Sequence, residues 1–70
     1  MNRDPIASTN IASAGYDEAS QTLEVEFTSG AVYQYYNVEP ALAEEFFNAA
    51  SKGQFLNVYI KNAYPYSRTG

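Results

Sequence analysis

Residues 22–36, Thr-Leu-Glu-Val-Glu-Phe-Thr-Ser-Gly-Ala-Val-Tyr-Gln-Tyr-Tyr, restrict what this chain can fold into more than any other stretch. Leu23, Val25 and Phe27 alternate with Thr22, Glu24, Glu26 and Thr28, the period that gives a strand one buried and one solvated face. Thr28-Ser29-Gly30 breaks the alternation and an aromatic strand follows, so the stretch predicts a β-hairpin. A loop of three residues with Gly last, in the left-handed region, places Phe27 opposite Ala31, Val25 opposite Tyr33 and Leu23 opposite Tyr35. Tyr33 and Tyr35 then share the apolar face, as core beneath the helices, while Val32, Gln34 and Tyr36 share the other face with Glu24 and Glu26. A loop one residue shorter would turn every side chain over. Thr28 and Ser29 suit the positive φ of such a loop poorly, which favours the first register.

The flanking residues complete an α+β domain. Ile11 to Tyr16 reads as a short first strand and Asp17-Glu18-Ala19-Ser20 as the turn after it, giving a three-stranded antiparallel meander. Residues 1–7 carry a Pro and two charges but no period, and are expected to fray as a flexible N-terminus. Pro40 suits the first position of a helix over 40–50, with Leu42, Phe46 and Ala49 at helical spacing and Glu44 and Glu45 near its positive end. Ser51 and Gln54 match a capping box opening a second helix to about Asn62, whose apolar stripe is Phe55, Leu56, Tyr59, Ile60 and Ala63. Tyr64-Pro65 ends it and leaves an extended tail. The expected architecture is β-β-β-α-α, a single domain over residues 8–68 with both C-terminal helices packed on one face of the sheet.

Composition excludes several function classes. A chain of 70 residues buries only ~60% of the surface its unfolded form exposes. It contains no Cys and no His, so neither a disulfide nor a zinc cage of the common ligands is available to supplement the core, and no metal or cofactor is expected. Seven Tyr and four Phe are the available compensation, each ring able to bury ~150–250 Å². No apolar run approaches the ~20 residues that cross a bilayer, and nothing resembles a signal peptide, which leaves the cytoplasm as the default compartment. Without His or Cys the common general bases and nucleophile pairs are missing. Glu24 and Glu26 alternate on the solvated face and Ser51 has a role as a cap, so the chain is not expected to be an enzyme.

Charge is unevenly distributed. The net charge of −4 argues against non-specific attraction to phosphate backbones. Yet residues 1–50 hold all eight acids and one base, whereas residues 51–70 hold Lys52, Lys61 and Arg68 and no acid. Tyr59, Tyr64 and Tyr66 lie among those bases. Cations interleaved with aromatic rings can neutralise phosphate while stacking bases, which makes RNA or a nucleotide the expected ligand. The structural alternative is a helix whose Lys residues complement its dipole and whose tyrosines cap the core. A second function hypothesis places Tyr36, exposed beside Val32, on an uncovered outer sheet face that pairs with another copy as a homodimer or with another protein.

The order Ile11…Gly15-Tyr16-Asp17, Leu23-Glu24-Val25-Glu26-Phe27, Gly30, Tyr33-Gln34-Tyr35 and Val38, followed by Ala50-Ser51-Lys52-Gly53-Gln54-Phe55-Leu56-Asn57…Ile60…Tyr64, resembles the KTSC domain. The resemblance covers residues 8 to about 68, and its most specific parts are the Tyr-x-Tyr centre and the Ala-Ser-Lys-Gly-x-Phe run. It implies a small domain of the kind found alone in bacteria and phages or at the C-terminus of some lysyl-tRNA synthetases. Through that association it implies RNA as a partner; it implies no catalytic residue. Where the family has Val-Pro after the Tyr-x-Tyr strand, this chain has Val38-Glu39-Pro40.

Overall fold

A computed structural model describes all residues, Met1–Gly70. Five antiparallel strands form one sheet in chain order: β1 (Asp4–Pro5), β2 (Ile11–Asp17), β3 (Thr22–Phe27), β4 (Val32–Tyr35) and β5 (Tyr66–Arg68). Between β4 and β5 run α1 (Pro40–Asn48) and α2 (Lys52–Phe55), the latter continuing directly as a π-helical turn over Leu56–Ile60.

The central hairpin has the register its alternation predicts, with Leu23 paired to Tyr35 and Val25 to Tyr33. Gly30 closes the loop at φ 95°, its amide donating to the Phe27 carbonyl at 2.9 Å, while the Phe27 amide donates to the Ala31 carbonyl at 2.8 Å. On the inner face Ile11, Ala14, Leu23, Val25 and Tyr35 are buried against Ala43 and Phe46 of α1 and Leu56 and Ile60 of the second helix. A bulge between Ile11 and Ser13 restores Ile11 to this face despite the intervening residue. Pro40 occupies the start of α1, as its locked φ favours. Glu44 and Glu45 lie beyond the first turn, so they do little for the dipole.

The sheet is not the expected three-stranded meander: it has five strands, and the two additional ones come from the terminal segments, one expected to fray and the other read as an extended tail. At the N-terminus Asp4 pairs with Ala14 and Pro5 with Ser13, and the Ile6 amide donates to the Ala12 carbonyl at 3.0 Å. Gly15 makes this possible. It points to the outer face, and a Cβ there would lie 2.1 Å from the Asn2 carbonyl oxygen, so only glycine lets the terminal segment cross. At the other end the extended tail, whose course the sequence left open, adds to the open edge of β4, with Tyr66 opposite Tyr35 and Arg68 opposite Tyr33. Amides of Tyr36 and Thr69 donate to the carbonyls of Pro65 and Val32, both at 2.8 Å. An unpaired edge presents a row of backbone groups that must find partners, and the nearest extended segment supplies them.

Both helices are shorter than expected. α1 ends at Asn48, where the Lys52 Nζ donates to the Ala49 carbonyl at 3.2 Å and satisfies an orphan of the helix end. Ser51 caps α2 by accepting from the Gln54 amide at 3.3 Å. From Leu56 the helix widens: the Lys61 amide donates to the Leu56 carbonyl at 2.8 Å, five residues back, the bond that defines a π-turn. No helix is long and apolar enough to cross a membrane.

Candidate functional site

The short second helix covers only part of the inner sheet face. Beyond its end, the β4–β5 side of that face opens as a cleft of about 570 Å³. Each wall has a local origin. Antiparallel alternation turns Tyr33 and Tyr35 of β4 inward, and the β4–β5 register puts Arg68 and Tyr66 on the same side, directly opposite them. The hairpin contributes Phe27 and Ser29. The π-turn delivers Lys61 and Asn62 to the remaining side. A π-turn carries one residue more than the same stretch of α-helix, so it resets the direction in which Lys61 points.

The rings form a continuous cluster. Tyr66 lies 5.8 Å from Tyr33 and 6.0 Å from Tyr35 between centroids, each pair tilted by 41°, and Phe27 meets Tyr33 edge-on at 5.7 Å. Tyr35 is buried and forms the floor, Tyr33 is half-buried, and Tyr66 is 58% exposed at the mouth. Lys61 and Arg68, both exposed, supply the cations, and no carboxylate lines the cleft. The Arg68 Nε donates to the Gly70 carbonyl at 2.8 Å, which fixes the guanidinium and leaves its terminal nitrogens available. Burial first, then the neighbouring phenols of Tyr33 and Tyr66, push the Tyr35 hydroxyl above its ordinary value, so it remains a neutral donor and acceptor.

Of the seven residues singled out in the sequence, Lys61, Tyr66 and Arg68 converge here and the others do not. Lys52 is engaged at the end of α1. Tyr64 donates to the Glu39 carboxylate at 3.0 Å, strapping the segment before β5 to the start of α1. Tyr59 packs on Phe55 with centroids 4.8 Å apart and rings tilted by 42°, and it borders Glu44 and Glu45, surroundings that repel phosphate. Tyr36 is half-buried on the outer face, not exposed: its hydroxyl donates to Gln34 Oε1 at 3.1 Å and also bonds the Ser67 hydroxyl. Gln34 in turn donates to Glu24 at 2.8 Å, and Glu24 pairs with Arg3 at 3.4 Å, so a polar ladder crosses the outer face on which Tyr36 was expected to stand exposed.

Tyr33 and Tyr35 are functional candidates that the sequence reading placed in the core and not in the site. They do face inward, but on the β5 side the helices leave Tyr33 half-buried and the small remaining surface of Tyr35 lining the cleft. Their signal was the alternation itself, which gives the side they face but not how far the helices cover it.

Three phenols titrate late for stated reasons, which gives an alkaline prediction. Tyr16, donating to the Val38 carbonyl at 2.5 Å, is raised by burial and by Glu18, Glu39 and Asp17, and Tyr64 by burial and its bond to Glu39. Like Tyr35, these groups hold their protons in the folded chain above the 10.0 at which an unperturbed phenol ionises. Stability is therefore fully present below pH about 10 and falls as pH rises further, because the unfolded chain ionises first. The urea midpoint should be lower at pH about 11 than at about 8; an unchanged midpoint would contradict the assignment.

The family model described as the KTSC domain matches residues 7–64. Lysine–tRNA ligase from Nostoc punctiforme is 43% identical over 53 residues, 76% of this chain but 9% of that enzyme. The chain thus spans less than a tenth of the length of the ligases it matches. A protein from Tsukamurella paurometabola is 44% identical over 57 residues, which are 81% of this chain and 85% of that one. Among solved structures, a KTSC domain protein from Yersinia pestis superposes with a TM-score of 0.95 at 35% identity, covering 99% of this chain and 97% of its own.

Proposed function

The chain belongs to the KTSC domain family, and on that premise we propose that it is a binding module for single-stranded RNA or a nucleotide-like ligand, acting through the aromatic cleft and not by catalysis. One observation carries this reading. Of the four cations in a chain of net charge −4, Arg3 is paired with Glu24 and Lys52 is occupied at the end of α1; the other two, Lys61 and Arg68, line the same carboxylate-free cleft. Rings that stack bases beside cations that meet phosphates are the recurrent means of holding single strands. The ligases among its relatives are named for a tRNA substrate, and a matching domain within them would meet RNA. Such a ligand also suits a cytoplasmic module. The outer face, with its hydrogen-bonded polar ladder, does not favour self-association as a second reading.

The test is a salt titration of binding to a fluorescently labelled single-stranded RNA. Two phosphate contacts predict that the logarithm of affinity falls with that of salt with a slope of about −1.4, from ~0.7 per phosphate on single strands. Absence of affinity at low ionic strength would overturn the proposal.

A further inference from the structure

Tyr35 is only 2% exposed, and the little surface it retains opens into the cleft. Its hydroxyl forms no hydrogen bond within the protein, nor do those of Tyr33 and Tyr66 beside it, whereas Tyr16, Tyr36 and Tyr64, outside the cleft, each have a partner. The oxygen itself is not sealed off, so what occupies the cleft above it, water or a ligand, is its available partner. Around it the floor is aromatic carbon, and both cations stand outside on exposed side chains at the rim.

That arrangement decides which end of a nucleotide goes inward. A phosphate on the floor would lose its hydration against apolar rings with no cation beside it, at heavy cost. A base would instead bury a flat ring on rings and bring its polar edge to an unpaired hydroxyl. The spacing limits how many bases fit. Tyr33 and Tyr66 lie 5.8 Å apart and are tilted by 41°, leaving no parallel slot between them, so a base rests on the cluster and a second cannot continue the stack within it. The volume, about 570 Å³, lies in the range that holds a small ligand.

Resting on the reading of the cleft as a single-strand site, we propose that it captures one unstacked nucleobase, whose hydrogen-bonding edge is read by the Tyr35 hydroxyl while Lys61 and Arg68 hold the flanking phosphates. A phenol hydroxyl both donates and accepts, so selectivity among bases comes from how many edge groups can reach it. Tyr33 and Tyr66 then act as the stacking surface.

The experiment uses the full chain with labelled trinucleotides: four of them differing in the central base, and one abasic at that position. The wild type should bind the abasic ligand at least ~10-fold more weakly than its best base, the loss expected when one stacked base is removed. Tyr35→Phe, which keeps the ring and the fold, should lower affinity for that best base about 5- to 10-fold and flatten the preference among the four, a loss of the size of one hydrogen bond. If the wild type binds the abasic ligand as well as the others, or if Tyr35→Phe leaves both affinity and preference unchanged, the inference is wrong, whereas the reading of the cleft as an RNA site stands. If the wild type binds none of the ligands at low salt, the reading of the cleft itself fails. The abasic arm needs no variant, so a folding defect in Tyr35→Phe would not protect the inference.

Discussion

Lys61→Glu combined with Arg68→Glu is expected to lower affinity for single-stranded RNA by ~100-fold or more at low salt. Two attractive charges at the mouth of the cleft become repulsive ones, and like-charge juxtaposition costs several kcal/mol, each ~1.4 kcal/mol being tenfold. Both side chains are exposed, so thermal stability should be nearly unchanged and the loss can be read as a loss of binding. Tyr36→Glu serves as the control, because Tyr36 lies on the opposite face of the sheet, bonded to Gln34 and Ser67. It should leave RNA affinity unchanged. Fluorescence anisotropy beside circular dichroism checks both; retention of affinity in the double variant would refute the role of the two cations.

Gly15→Ala is the second. The new Cβ would sit 2.1 Å from the Asn2 carbonyl oxygen and 3.0 Å from its carbon, and backbone atoms cannot be moved aside as a flexible side chain can. The N-terminal segment must lift. With it go the pairing of Asp4 and Pro5 and the contact between Arg3 and Glu24. The expected loss is ~1–3 kcal/mol, the usual cost of overpacking, and each kcal/mol lowers the melting temperature of a domain this size by ~4–8 °C. Amide exchange localises the effect: the Ile6 amide, protected in the native chain by the Ala12 carbonyl, should exchange as freely as an unstructured residue. The cleft lies on the other face, so RNA affinity should persist. An unchanged melting temperature with Ile6 still protected would contradict the proposed need for glycine.

These residues show where sequence reasoning reached and where it stopped. The hairpin register was legible because it depends on neighbours in the chain: the alternation from Leu23 to Phe27 and a Gly able to take φ 95°. Pro40 and Ser51 likewise marked helix starts through their own backbone and side-chain chemistry. The outer strands carried no such signal. Asp4-Pro5 and Tyr66-Ser67-Arg68 are too short to show a period, and each becomes a strand because an open edge lies beside it. The π-turn was equally silent, since Leu56 to Ile60 reads as ordinary helix until its carbonyls choose partners five residues on. The acidic neighbours of Tyr59 and the partner of Tyr64 were also invisible, as they come from α1 and the segment leading into it.

What the sequence determined by itself is which side of the sheet each strand residue faces, because that follows from the geometry of one extended chain. It also determined that a basic, tyrosine-bearing segment closes an otherwise acidic chain. Only the tertiary structure decided how much of the inner face is covered. The second helix turns off after Ile60, β5 docks beside β4, and Tyr33 and Tyr35, assigned to the core by their alternation, become the wall and floor of an open cleft. Coverage depends on the length and placement of elements remote in the chain, and no local pattern encodes it.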